Sequence, residues 1–106
     1  MVANVTLEMT NDPNIRVYHT RFELCSTFEE GSRGSSGELS EFSNLMLEIR
    51  GVAHVRLLPY VLMIFKAPLF DWTEVEPKVI DLLSSFAKSQ EELLNFTKLF
   101  DTAVRK

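Results

Sequence analysis

Ser40-Glu41-Phe42-Ser43-Asn44-Leu45-Met46-Leu47-Glu48-Ile49-Arg50-Gly51-Val52-Ala53-His54-Val55-Arg56-Leu57-Leu58-Pro59-Tyr60-Val61-Leu62-Met63-Ile64-Phe65-Lys66 holds the pattern that decides the fold. Its first part has the helical period. Leu39, Phe42, Met46 and Ile49 recur at i, i+3, i+7 and i+10, one apolar stripe. Ser35 and Glu38 have capping-box spacing and predict the helix start. Gly51 stands where a C′ glycine would end it. The period then changes to two. Val55 and Leu57 oppose His54 and Arg56 in a strand over 52–58, and 61–66 is a second strand. Pro59-Tyr60 makes the turn between them. The second strand is apolar on both faces, so it belongs in the middle of a sheet or against a partner.

Working outward, Val5, Leu7 and Met9 alternate with polar residues in a first strand, and residues 15–24 form a noisier second one. Thr10-Asn11-Asp12-Pro13-Asn14 is the turn between them. Residues 26–37 contain three of the four glycines and four serines, which predicts a flexible loop inside the domain. Beyond residue 70, Asp71 is an N-cap candidate and Glu74 suits the positive end of a helix dipole. Val75, Val79, Leu82, Leu83 and Phe86 form the buried stripe of this helix, with Pro77 near its start. A second start signal, Ser89-x-x-Glu92, precedes Leu93, Phe96, Leu99, Phe100 and Val104. One bent helix and two helices both satisfy residues 73–104.

The expected order is β-β-α-β-β-α. Two tight turns imply hairpins and antiparallel pairing. The fold class is therefore α+β: a two-layer sandwich, an antiparallel sheet with helices on one face. The domain covers 1–88, and 89–106 is a C-terminal helical extension of it. At 106 residues this is one domain, large enough to fold without disulfides or a structural metal.

Composition narrows the function classes. The net charge is −4 and the pI is near 5.1, which argues against a nucleic-acid binder. No apolar run approaches the roughly 20 residues of a membrane span. The N-terminal residues lack the basic and apolar regions of a signal peptide, and the single cysteine fits a reducing compartment, so the expected location is the cytoplasm. One thiol supplies neither an intrachain disulfide nor a cysteine-based metal site, and no cofactor is expected.

Three segments resemble the N-terminal domain of the NifU-like scaffold proteins, called Nfu. Thr10-Asn11-Asp12-Pro13-Asn14 is similar to the family's T-P-N-P-N turn. The stretch from Ser40 to Val52 resembles S-P-L-A-x-x-L-F-x-I-x-G-V. Val55 to Pro59, Lys66 and Asp71-Trp72 resemble V-x-x-x-P…K…D-W, with Pro77 at the family's helix position. Glu41 replaces a usual proline, and the turn lacks its first proline. In full-length family members a following domain carries a C-x-x-C motif that binds an iron–sulfur cluster. Cys25 is the only thiol here. The resemblance therefore implies an accessory domain for cluster assembly or delivery, acting on a scaffold, carrier or apo-target protein and not holding the cluster. Its contact residues are expected at Asp12, Asn14 and Trp72, since turn and cap positions lie at the ends of the sheet.

Other candidates read as structural. Cys25 follows a predicted strand, with Arg21 the nearest cation in sequence. His19 and His54 lack the further ligands a metal needs. The run Gly31 to Gly37 lacks the spacing of a phosphate-binding loop. Glu29-Glu30 and Glu91-Glu92 are adjacent pairs, poor acid–base dyads. No nucleophile–base–orienter set is visible, so the expectation is not an enzyme. The alternatives are a small thiol-redox protein using Cys25 and a homodimer built on the C-terminal helix.

Overall fold

The computed structural model describes residues 2–34, 39–89 and 93–98, with the backbone alone at 2–4 and 93–98. Its elements are β1 (Val2–Met9), β2 (Ile15–Thr20), β3 (Glu29–Ser32), α1 (Glu41–Glu48), β4 (Val52–Leu58), β5 (Val61–Lys66), α2 (Trp72–Ser89) and β6 (Leu93–Lys98). Among the described residues the strands make one sheet in the order β3-β4-β5-β2-β1-β6. Five strands pair antiparallel, and β6 runs parallel to β1. The α+β class and both hairpins stand. The central place expected for residues 61–66 is also met, because β5 lies between β4 and β2.

Strand periodicity builds the core. Val5 and Leu7 of β1, Tyr18 of β2, Leu62 and Ile64 of β5, and Val55 and Leu57 of β4 are all but fully buried. They meet Phe42 and Met46 of α1 and Val75, Val79 and Leu83 of α2 in one apolar cluster, so both helices cover the same face. Burying each such side chain contributes about 1.5–3 kcal/mol. Phe86 of α2 adds ring contacts to Phe42 (5.0 Å) and Phe22 (6.1 Å).

Five local expectations are corrected. First, α1 starts at Glu41 with Ser40 as its cap; the Ser35–Glu38 signal falls on residues 35–38, outside the described ones. Ser40 Oγ accepts the Ser43 N–H at 3.3 Å. The carboxylate that completes this end comes from Glu29, which accepts the Ser40 N–H, the Ser40 hydroxyl and the Ser43 hydroxyl at 2.8–3.1 Å. Second, part of the predicted loop is strand: Glu29–Ser32 pairs with His54–Leu57 at the sheet edge. Pairing with an existing edge offsets the poor strand propensity of Glu-Glu-Gly-Ser. Third, Gly51 ends no helix directly. Glu48 is the last helical residue, and Gly51 (φ +100°) is the third position of a turn closed by the Val52 N–H on the Ile49 carbonyl at 3.1 Å. The carbonyls of Leu47, Glu48 and the cap Ile49 at the end of α1 instead accept from the Arg33 guanidinium at 3.1–3.5 Å.

The fourth correction concerns the C-terminal helical extension placed at 89–106. Residues 73–89 belong to a single helix that contains Pro77, and Leu93–Lys98 is a strand. Asn95, Phe96 and Thr97 are poor helix formers, and β1 would otherwise present an open row of N–H and C=O groups. Residues 90–92 and 99–106 lie outside the described ones, as does the rest of the expected stripe. The homodimer reading built on that helix loses its basis. Likewise β2 stops at Thr20, where the chain turns to follow the β4–β5 hairpin. The Thr20 and Leu24 N–H groups donate to the carbonyls of Tyr60 and Pro59.

Candidate functional site

The β1–β2 turn fixes itself first. Thr10 Oγ1 accepts the Asp12 N–H at 3.1 Å, and Asp12 Oδ1 accepts the Asn14 N–H at 2.8 Å, an Asx turn. Pro13 within it leaves its carbonyl pointing at the start of α2. The Trp72 indole N–H donates to that carbonyl at 2.8 Å. Lys66, at the end of β5, joins the same corner. Its backbone N–H donates to the Asn14 carbonyl at 2.7 Å, and its buried ammonium donates to Asn14 Oδ1 at 2.9 Å and to the carbonyls of Ala67 and Phe70. Three acceptors match the three donors of a lysine.

Trp72 also carries two cations. The Arg16 guanidinium lies 4.7 Å from its ring centroid and the Lys66 ammonium 5.8 Å. Arg16 in turn donates to Glu76 Oε1 at 2.7 Å, and the Tyr18 hydroxyl donates to the same oxygen at 2.8 Å. Glu76 is 7% exposed. Burial, then the Glu76 carboxylate, pushes the Tyr18 phenol well above its ordinary value, so the hydroxyl stays a donor. Arg16 Nε is buried with no hydrogen-bond partner among the described residues. Over this floor lies an open groove of about 640 Å³, walled by Trp72, Thr73, Pro77, Ile80 and Asp81.

The expected contact residues Asp12, Asn14 and Trp72 are thus brought to one corner. Asp12 and Asn14 bind within it, and Trp72 is half-buried and lines the groove. Arg16, Tyr18 and Glu76 were not legible as a unit. A signal exists: Arg16 and Tyr18 share a strand face, and Glu76 falls at i, i+3, i+7 with Val79 and Leu83 on the buried face of α2.

The remaining candidates are dispersed. His19 pairs with Glu8 at 2.6 Å on β1–β2, while His54 lies on β4, across β5 from β2. No group of three or more metal-ligating side chains occurs among the described residues. His54 does sit between two polar groups: Nδ1 is 2.7 Å from Ser32 Oγ and Nε2 is 2.7 Å from Glu30 Oε2. That order of hydroxyl, imidazole and carboxylate was invisible in sequence, since β3 was read as loop. Glu30 also accepts from Arg56 at 3.0 Å. The hydrogen bond with His54, then that from Arg56, holds its carboxyl below the usual range. Ser32 lies on an exposed edge strand, without the strained elbow that presents a nucleophilic serine. Glu29 and Glu30 alternate faces of β3, one capping α1 and one in this ladder. Glu91-Glu92 lie outside the described residues. Cys25 donates to the Thr27 carbonyl. Burial, followed by the carboxylates of Glu29 and Glu23, raises its thiol pKa.

No family model matches the chain, and no curated protein matches it. Solved structures do. The crystal structure of protein SAV1430 from Staphylococcus aureus superposes with a TM-score of 0.63 at 18% identity, covering 78% of this chain and 99% of that one. The solution structure of the same protein gives 0.57 at 18% identity, covering 72% and 84%. A solution structure of a Staphylococcus epidermidis protein gives 0.50 at 22% identity, covering 78% and 93%. At these identities the likeness concerns the fold. Among the described residues no helix is long and apolar enough to cross a membrane.

Proposed function

We propose that this domain is a non-enzymatic interaction module of the NifU-like N-terminal type, assisting iron–sulfur cluster assembly or delivery while another protein holds the cluster. One observation carries the reading. The segments that resemble the family are far apart in sequence, yet Pro13, Asn14, Lys66 and Trp72 interlock at one corner through direct hydrogen bonds. That explains why a turn, a lysine and an Asp-Trp pair recur together in such a motif. The corner adjoins a groove with an aromatic and apolar wall over the Arg16–Glu76 ion pair, a composition suited to a protein contact. The competing thiol-redox reading is weakened, because the surroundings of Cys25 oppose thiolate formation.

The test is an NMR titration of the isotope-labelled domain with a separate C-x-x-C domain carrying its cluster. Shift changes should concentrate at residues 10–16 and 66–81. A titration to saturating carrier that moves no resonance there would remove the proposal.

A further inference from the structure

The sheet face turned away from the helices is ordered by charge. Register places Arg56 of β4, Met63 of β5, Val17 of β2 and Glu8 of β1 in one row across four adjacent strands. With Glu30 of β3 beside Arg56 at the sheet edge, the whole row reads anion, cation, apolar, apolar, anion. Phe65 and Ile15 form the next row on the same face and extend the apolar centre. Arg56 and Glu8 each pair with a neighbour in their own chain, Glu30 and His19, yet their side chains remain 40% and 50% exposed. Each has spare hydrogen-bonding capacity for another molecule.

From this row we infer that the outer face binds a second copy of the same chain. A two-fold axis parallel to the strands, between β5 and β2, sets Met63 of one copy over Val17 of the other and Phe65 over Ile15. The same operation sets Arg56 over Glu8, and by symmetry does so twice. An axis across the strands would instead stack Arg56 on Arg56 and Glu8 on Glu8, so charge selects the first arrangement. Two twisted sheets packed this way cross at about 30° and lie about 10 Å apart, within reach of an arginine and a glutamate. His54 and Glu30 flank the Arg56 side, and His19 flanks the Glu8 side. Six strands spaced ~4.8 Å, each ~6 residues at ~3.3 Å, give a footprint of roughly 570 Å² per copy. Both copies together fall just under the ~1,200 Å² lower bound of stable complexes, so the dimer is reversible and concentration-dependent. This inference does not depend on the cluster-assembly reading.

Sedimentation equilibrium on the full chain tests it. The wild type should pass from monomer to dimer mass as concentration rises, and added salt should weaken the association. Glu8→Arg and Arg56→Glu should each weaken it about tenfold or more, because each creates two like-charge contacts. The double variant Glu8→Arg/Arg56→Glu should recover most of the loss. Met63→Lys, at the apolar centre, should abolish dimerisation while circular dichroism stays native. A chain that is monomeric at every concentration overturns the inference, as does a monomer that uses this face only for a different protein. A double variant as weak as the singles, with native circular dichroism, also overturns it.

Discussion

Replacing Glu76 with alanine tests the buried network most directly. The carboxylate is the acceptor of both the Arg16 guanidinium and the Tyr18 hydroxyl, and its side chain is 10% exposed against 14% for Arg16. Removing one member of a buried ion pair costs about 3–5 kcal/mol, because the remaining charge keeps its desolvation without its partner. Arg16 retains some solvent and its contact with Trp72, so the lower end, about 3 kcal/mol, is expected. Glu76→Gln keeps an acceptor and the side-chain volume, and should cost about 1–2 kcal/mol. Tyr18→Phe alone should cost about 1 kcal/mol. The pair Glu76→Ala/Tyr18→Phe should cost less than the sum, since the first change already removes this acceptor of the hydroxyl. Urea unfolding followed by circular dichroism reads these values. With a slope of about 1.5 kcal/mol/M, Glu76→Ala should lower the midpoint by about 2 M. A midpoint within a few tenths of a molar of wild type would refute the reasoning, as would strict additivity in the double variant.

Gly51→Ala should destabilise by about 2–4 kcal/mol in the same assay, combining left-handed backbone strain with overpacking. Its new Cβ would stand 2.8 Å from Val75 Cγ2 and 3.0 Å from Phe70 Cγ, and adding Val75→Ala should relieve the Val75 contact while the Phe70 contact and the backbone strain remain. For Glu29, burial raises the carboxyl pKa, but hydrogen bonds from Ser43 and Ser40 outweigh it and hold the group below its ordinary value. A depressed folded value means stability that is present above the unfolded carboxylate range and lost as pH falls through the folded one. Ser43→Ala should shift the Glu29 titration upward, observed by carbon NMR of the side chain; an unmoved titration would show that the Ser43 hydroxyl contributes nothing.

Local chemistry was legible wherever one short segment contains the whole cause. The 52–58 and 61–66 hairpin and the buried stripe of α2 follow from period and turn chemistry alone. The resemblance picked out Asn14, Lys66 and Trp72, although nothing in one dimension says that they touch. Errors arose where the cause is remote. Glu-Glu-Gly-Ser at 29–32 has no strand signal of its own and becomes β3 because the β4 edge accepts it. Ser40 caps α1 together with Glu29 from the neighbouring strand, a partner that no local spacing announces. Leu93–Lys98 carries apolar residues at a spacing compatible with a helix and forms β6 because β1 offers hydrogen bonds along its outer edge.

Sequence by itself determined the α+β class, the hairpins and which faces are apolar, since side-chain periodicity and turn residues act over a few positions. Tertiary structure decided the strand order, the Arg16–Tyr18–Glu76 network and the charged row across the outer face. Those depend on which backbone groups find partners from distant segments, and only the closed sheet makes that choice.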